Sequence, residues 1–184
     1  MTKEEFCKNY WSYYLVLEGR FLKLQNYIAF DKENYKCYST ELIAQFQTIC
    51  SEVDVVSKIL CGFDAADEKT IDDYRAQYTL RCPGIEAQEV AIDYFDVKVQ
   101  PFKALATEHS FPWWTDYNKV KHSRVTSYQR GNLKNVMFAL AGLYVLEKEV
   151  YKIITSEEKM ISESEIMHMV GWHESVNILF YTNS

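Results

Sequence analysis

One stretch of the chain decides its fold: residues 133–150 have the sequence LKNVMFALAGLYVLEKEV. Apolar side chains recur in it at steps of three and four residues, which places them on one face of a helix. The residues of that face are Leu133, Val136, Met137, Leu140, Leu143, Tyr144 and Val150. A strongly apolar face has to be covered by other elements, so we predict a helix that begins near Tyr128 within a mainly α, antiparallel helical bundle.

The same periodicity predicts helices upstream. One covers about residues 6–28, and a second is capped by Ser39 or Thr40 and ends at Gly62. A shorter third helix is expected over residues 67–80, and a fourth from Pro112 to Arg124. Before Pro101 the apolar period changes to two and β-branched residues are frequent, which predicts a small β-strand or hairpin insertion at residues 85–101.

The C-terminal segment, residues 156–184, is expected to be an extension of one domain that covers residues 1–184. Residues 162–165, Ser-Glu-Ser-Glu, have capping-box spacing, which favours the start of a short helix. Residues 176–181 fit either a strand or a docked tail. We find no internal repeat and no linker long enough to separate two domains.

Composition limits the class of protein. With 184 residues, 48% of them hydrophobic, the chain can bury one substantial core. Its longest apolar run, residues 136–146, is well short of the roughly 20 residues needed to cross a bilayer, and the charged start Met1–Glu5 precedes no apolar signal core. We therefore expect a cytoplasmic protein without membrane contact. Five cysteines without a Cys-x-x-Cys pair indicate neither a disulfide framework nor a structural zinc site.

Charge is distributed unevenly. The formal net charge of −6 argues against a protein that binds nucleic acid over its whole surface. The segment from Pro112 to Lys134 is nevertheless basic, with Asp116 as its single acid. Its basic residues are Lys119, Lys121, Arg124, Arg130 and Lys134. Any functional site is best sought in this segment.

Within it, Asn118 and His122 lie four residues apart and share one face of the predicted fourth helix, beside a stripe that holds Tyr117, Lys121 and Arg124. Such a group can bind an anion such as phosphate, and a histidine can accept or donate a proton near neutral pH. The alternative is a solvated helix face. The neighbouring Trp113 and Trp114 can stack on a base or, alternatively, anchor the core.

Further side chains are candidates for supporting roles. Glu52 and Asp54 on the second predicted helix can orient the basic cluster, together with Lys58, or can simply form an exposed face. His168 and His173 do not share a helical face, so we expect no metal site and no cofactor. His109 is a candidate partner of the cluster.

The segment from Trp113 to Arg124, followed by Gly131–Val136 and the apolar run to Leu146, resembles bacterial proteins related to the HEPN superfamily. The second predicted helix, with Cys50–Asp54 leading to Lys58, fits the same resemblance. The resemblance covers about half of the chain and is clearest at Tyr117–His122.

This resemblance implies a helical bundle that forms a homodimer and, in many members, a metal-independent endoribonuclease. The family motif is an Arg, a polar residue after it and a His five positions after the Arg. Here His122 and Asn118 match, whereas Tyr117 stands at the Arg position.

The implied catalytic residues are His122, Asn118 and Arg124, with RNA bound by Lys121, Lys119, Tyr117 and Trp114. The implied setting is bacterial stress, a toxin–antitoxin pair or phage defence. The alternative is a non-catalytic module that oligomerises or binds a protein partner, so whether the chain is an enzyme stays open.

Overall fold

The computed structural model describes residues 1–107 and 110–172. The chain is mainly helical with one small sheet, as the sequence predicts. The helices are α1 (Lys3–Phe6), α2 (Ser12–Leu22), α3 (Thr40–Cys61), α4 (Ile71–Arg81), α5 (Pro112–His122), α6 (Arg124–Ser127) and α7 (Leu133–Thr155), and the strands are β1 (Val90–Ile92), β2 (Val97–Val99) and β3 (Met167–Met169).

The two long helices, α3 and α7, begin and end at residues suited to those positions. The Ser39 hydroxyl accepts a hydrogen bond from the Leu42 amide at 3.1 Å, and Gly62 ends α3 in the left-handed region at φ 72°. The Asn132 side chain caps α7 in the same way, by accepting from the Asn135 amide at 3.0 Å. α7 is buried on nearly all sides over residues 133–151, so it forms the centre of the core.

The central pair of helices is parallel. The backbone carbonyls of Tyr35 and Cys37, just before α3, accept hydrogen bonds from the first amides of α7. The N-termini of α3 and α7 therefore lie together. α1 and α2 run the opposite way, because Phe6 packs near the end of α7 on Tyr151, with ring centroids 6.0 Å apart. The expected antiparallel arrangement thus holds for α1 and α2 against α7, whereas α3 and α7 are parallel to each other.

Gly131 allows α3 and α7 to approach each other at their N-termini. A Cβ atom at this position would collide with the Ile43 side chain and would lie 3.2 Å from the Ile43 Cα atom, which is backbone and cannot rotate away. We expect Gly131→Ala to lower the free energy of unfolding by about 1–3 kcal/mol, as overpacked cores do. Urea unfolding would measure this, with Gly19→Ala as the control because nothing lies within 4 Å of its Cβ position. Equal effects of the two substitutions would contradict the explanation.

The sheet has the order β2-β1-β3 and is antiparallel throughout. β1 and β2 form the predicted hairpin, in which Val90 pairs with Val99. On its other edge β1 pairs with β3, and Val90 lies opposite Met169. The C-terminal segment therefore contributes a strand to the sheet.

The prediction that a short helix begins at residues 162–165 is wrong, because Ser162 and Glu165 are bends and the two residues between them have no regular structure. The cause is the carboxylate of Glu18 on α2, which is buried and accepts hydrogen bonds from the Ser164 hydroxyl and, at 2.9 Å, from the Glu165 amide. A buried carboxylate needs such donors, so it competes with local helix formation. The alternatives for residues 176–181 lie outside the described residues.

Two further departures concern helix bounds. A π-helical turn, Cys7–Trp11, interrupts the predicted first helix and directs the Trp11 ring toward Ser162, whose carbonyl accepts from the indole N–H at 2.8 Å. α4 begins later than predicted, at a capping box formed by Thr70 and Asp73. Across the described residues, none of the helices combines the length and the apolar character that crossing a membrane requires.

Candidate functional site

α5 presents one face to the core and the other to solvent. It begins at Pro112, whose fixed φ and missing N–H suit a first helical turn. Its buried residues are Trp113, Trp114, Tyr117 and Val120, which follow a helical stripe. Lys119, Lys121 and His122 are exposed. The amphipathic pattern of this helix therefore brings the polar residues of the predicted cluster to the surface.

Tyr117 is a core residue. Its side chain is 8% exposed, and its ring packs edge-on against Phe46 of α3, with centroids 6.0 Å apart. It also contacts the Trp114 ring, 5.2 Å away between centroids. Burial raises the pKa of the Tyr117 hydroxyl, with smaller contributions from Cys50 and Asp54. At the position where the resemblance implies an Arg, the chain therefore has a tyrosine ring that packs between α3 and α5.

Asn118 and His122 form a ridge between two grooves on the α5–α6 surface. Both residues line each groove, and each groove has a volume of about 730 Å³. In the part of the chain that the structure describes, the His122 side chain forms no hydrogen bond or ion pair with another residue. Its imidazole is exposed and accessible to a ligand from either side.

The first groove, which we call the hydroxyl groove, is lined by Lys119 and Arg130 and by five hydroxyl groups. The hydroxyls belong to Ser110, Thr115, Ser123, Thr126 and Ser127. No acidic residue among those described lines it. Hydroxyls, an amide and cationic side chains are the groups that proteins use to contact phosphate oxygens.

Arg130 owes its position to Asp116. One oxygen of the Asp116 carboxylate contacts the Arg130 guanidinium. The other accepts a hydrogen bond from the side-chain amide of Asn135 at 3.0 Å. Lys119 Nζ lies 4.0 Å from the same carboxylate. Sequence reasoning did not assign Arg130 or Asp116 to the site. The one available signal was that Asp116 is the single acid of a basic segment.

The second groove, which we call the mixed-charge groove, lies between α5, α3 and the loop before α4. It combines Lys121, Lys58 and Lys69 with Asp54, Asp67 and Glu68, so its charges nearly balance. Asp54 is already engaged there, since its carboxylate accepts from the Tyr74 hydroxyl at 2.6 Å and pairs with Lys58 at 3.1 Å. Asp54 and Lys58 thus line the groove as expected of residues beside the basic cluster, but the Asp54 carboxylate is bound to Tyr74 and Lys58 and not to His122.

Two other predicted residues, Arg124 and Glu52, lie outside both grooves, and a third, Trp114, is nearly buried. Arg124 is exposed on α6 and donates to the Gln47 side chain on α3 at 3.3 Å. Glu52 lies on another face of α3, where burial raises its pKa and its charge acts on Glu147 of α7. Trp114 lines the mixed-charge groove but is only 7% exposed, which leaves little ring surface for stacking on a base.

Among the described residues, no group of three His, Cys, Asp or Glu side chains is placed to hold a metal ion. His168 lies on β3, with Nδ1 3.4 Å from the Asp93 carboxylate, and is remote in the fold from the α5–α6 surface. His109 and His173 lie outside the described residues.

Of the predicted site, the structure therefore brings together Asn118, His122, Lys119 and Lys121 on one open surface. The comparisons with family models, with curated proteins and with solved structures find no match for this chain.

Proposed function

We propose that the α5–α6 surface binds RNA through its phosphates and that His122 assists metal-independent cleavage of the bound strand. The observation that carries this proposal is the ridge of Asn118 and His122, with its exposed imidazole, beside a groove of hydroxyl groups, Lys119 and Arg130. The resemblance to the HEPN superfamily at Tyr117–His122 points to the same chemistry.

The chemistry requires no group beyond RNA, water and the side chains of the site. The ribose 2′-oxygen attacks the adjacent phosphorus while neutral His122 accepts the 2′-hydroxyl proton. The bond from phosphorus to the 5′-oxygen breaks, and that oxygen takes a proton from water or, in the homodimer that the resemblance implies, from a second imidazole. The products are a 2′,3′-cyclic phosphate and a 5′-hydroxyl. Lys119, Lys121 and Arg130 stabilise the charge on the phosphoryl oxygens.

Arg130 is proposed to take the place of the motif Arg that Tyr117 replaces. A guanidinium binds phosphate through two parallel N–H groups, which an ammonium cannot do. Arg130 lines the hydroxyl groove with His122, and its side chain is 41% exposed even though Asp116 holds one edge of it.

A binding module without cleavage is the second candidate. Tyr117 favours it, because a buried ring at the motif position removes the cation that the family places beside its His. In that case RNA or a protein partner would bind the same surface, and no phosphodiester bond would break.

The test is incubation of the full chain with labelled single-stranded RNA in EDTA, followed by analysis of the fragment ends. We expect cyclic-phosphate ends from the wild type and a rate at least about 100-fold lower for His122→Ala, the usual contribution of a general base. His168→Ala is the matched control, since it removes a second imidazole away from the surface, and its rate should equal that of the wild type.

RNA binding is measured on the same variants by fluorescence anisotropy, together with a Lys119→Ala, Arg130→Ala double variant. If the wild type binds RNA without cleaving it, and the double variant loses this binding, the protein is the binding module. Cleavage that survives His122→Ala would overturn the catalytic role. The absence of both binding and cleavage would overturn the proposal as a whole.

A further inference from the structure

A third cavity, which we call the lysine pocket, lies on the other side of α5 and has a volume of about 840 Å³. Four separate segments form it: the 3₁₀ turn Lys32–Asn34 with the residues that follow, residues 100–107, the start of α5, and the first turns of α7. This volume lies within the range of about 300–1,000 Å³ that is usual for small-molecule sites.

The pocket is strongly basic in an acidic protein. Lys32, Lys36, Lys103 and Lys134 line it, and all four are exposed. None of the four ammonium groups is ion-paired with any residue in the described ranges 1–107 and 110–172. Four lysines thus line one pocket although the chain as a whole carries a formal charge of −6.

Two acidic residues line the pocket, and only one of them contributes an uncompensated charge. The charge of Asp116 is neutralised by Arg130, and its carboxylate accepts a hydrogen bond from the side-chain amide of Asn135 at 3.0 Å. Glu33 is exposed, and its single negative charge offsets only part of the positive charge of the four lysines. The pocket therefore has an excess of positive charge that suits a multiply charged anion.

The anion would be bound by side chains and not by the N-terminus of α7. The amides of Leu133 and Lys134 donate to the carbonyls of Cys37 and Tyr35, and the Asn135 amide donates to the Asn132 side chain at 3.0 Å. These donors are already satisfied, which leaves the flexible lysine ammonium groups as the cations that can follow a chain of phosphates.

The walls of the pocket are aromatic and held in place. Trp113 is 2% exposed, and its indole N–H donates to the Pro101 carbonyl at 2.9 Å. Phe138 and Tyr35 are half-buried and present part of their rings to the cavity, with Lys134 Nζ 5.6 Å from the centroid of the Phe138 ring. The Phe138 and Tyr35 rings offer the accessible surface that favours a planar ring, through stacking and apolar contact, while the buried Trp113 supports this wall from behind.

From this combination we infer that the lysine pocket binds a nucleoside polyphosphate, with its phosphates among Lys32, Lys36, Lys103 and Lys134 and its base against the aromatic wall. Four ammonium groups exceed what one phosphate dianion can neutralise, which favours two or three phosphates over one. The inference uses none of the side chains of the His122 ridge and does not depend on RNA cleavage.

ATP in EDTA is the probe, titrated calorimetrically into the full chain, with adenosine and inorganic tripolyphosphate titrated separately. We expect saturable binding of ATP, about tenfold weaker binding of tripolyphosphate and no detectable binding of adenosine, because charge and ring both contribute. Tripolyphosphate that binds as tightly as ATP would overturn the base contact, and the absence of ATP binding would overturn the site.

The decisive variant is Lys103→Ala with Lys134→Ala, which should weaken ATP binding by about tenfold or more. The control is Lys8→Ala with Lys23→Ala, two exposed lysines elsewhere, because it changes the net charge equally. It should leave the dissociation constant unchanged, as should His122→Ala. An equal loss in the control would show general attraction of charge and would overturn the inference, and a loss in His122→Ala would move ATP to the α5–α6 surface. Thermal unfolding confirms that each variant is folded.

Discussion

Replacement of Trp113 with alanine is expected to reduce the free energy of unfolding by about 3–5 kcal/mol, the range for large aromatic residues removed from a core. The Trp113 ring stacks on Phe111 with centroids 5.3 Å apart and packs edge-on against Phe102. It also covers Gly142 of α7 so closely that a Cβ atom there would lie 3.0 Å from the ring. One side chain thus joins α5, α7 and the segment before α5.

Urea unfolding would measure the loss, and two further variants separate its causes. Trp113→Phe keeps a ring but leaves the Pro101 carbonyl without its donor, so it should cost less than alanine, about 1–3 kcal/mol. Tyr27→Ala removes an aromatic side chain that is 85% exposed and should change stability by less than about 0.5 kcal/mol. A Trp113→Ala effect no larger than that of Tyr27→Ala would contradict this account of the core.

The second large effect concerns Glu147, a carboxyl group in the middle of α7 that is fully buried. Within the described chain, neither of its carboxyl oxygens has a hydrogen-bond partner. Burial raises the pKa of Glu147 well above its ordinary value, and the charge of Glu52 on α3 raises it further. Cys7 at the N-terminal helix is also near this carboxyl. The folded protein therefore holds a proton on Glu147 that the unfolded chain releases.

The direction of the pH dependence follows from that difference. Between the ordinary pKa of 4.5 and the raised pKa of the folded state, the folded state binds one more proton than the unfolded state. Stability contributed by this group is present below pH 4.5 and is lost as the pH rises toward the folded pKa. Burial also raises the pKa of Glu18, Glu52 and Glu149, with the same sign. Their contributions largely cancel when a Glu147 variant is compared with the wild type.

Glu147→Met replaces the carboxyl with an apolar group of similar length. We expect it to stabilise the protein at pH 8 by about 1–3 kcal/mol, because an unpartnered buried polar group is removed. This corresponds to roughly 2–4 °C in Tm per kcal/mol for a domain of this size. The gain should shrink as the pH is lowered toward 5.

Thermal unfolding of both proteins from pH 5 to 8 would measure the difference. Glu4→Met is the matched control, since Glu4 is exposed and its replacement should shift Tm little and equally at every pH. A Glu147→Met protein that is less stable than the wild type, or whose gain does not change with pH, would contradict the assignment of a costly buried carboxyl.

Local patterns predicted much of the fold. Ser39 and Gly62 marked the ends of α3, and the apolar face from Leu133 to Val150 marked α7, because caps and helical periodicity depend on residues a few positions apart. The same holds for Asn118 and His122, whose spacing of four residues placed them together on the exposed face of α5. These features are set by neighbours in the sequence and hold in any fold that buries the opposite face of the helix.

Contacts between distant residues decided the rest. The Glu18 carboxylate holds residues 162–165 in a non-helical conformation, and β3 pairs with β1 although Val90 and Met169 are nearly half of the described chain apart. Tyr117 packs on Phe46, and Asp116 binds the Arg130 guanidinium. Residue spacing along a helix does not predict either contact. These pairings depend on which buried groups need partners once the helices are packed.

By itself, then, the sequence determined the helices, their apolar faces and the exposed ridge of Asn118 and His122. Only the tertiary structure decided that α3 and α7 lie parallel and that Arg130 lines the hydroxyl groove while Arg124 and Glu52 lie outside both grooves. It also decided that four lysines from three segments surround one pocket. The physical reason is that helix formation depends on residues within one or two turns of each other, whereas a pocket depends on how whole helices and strands pack together.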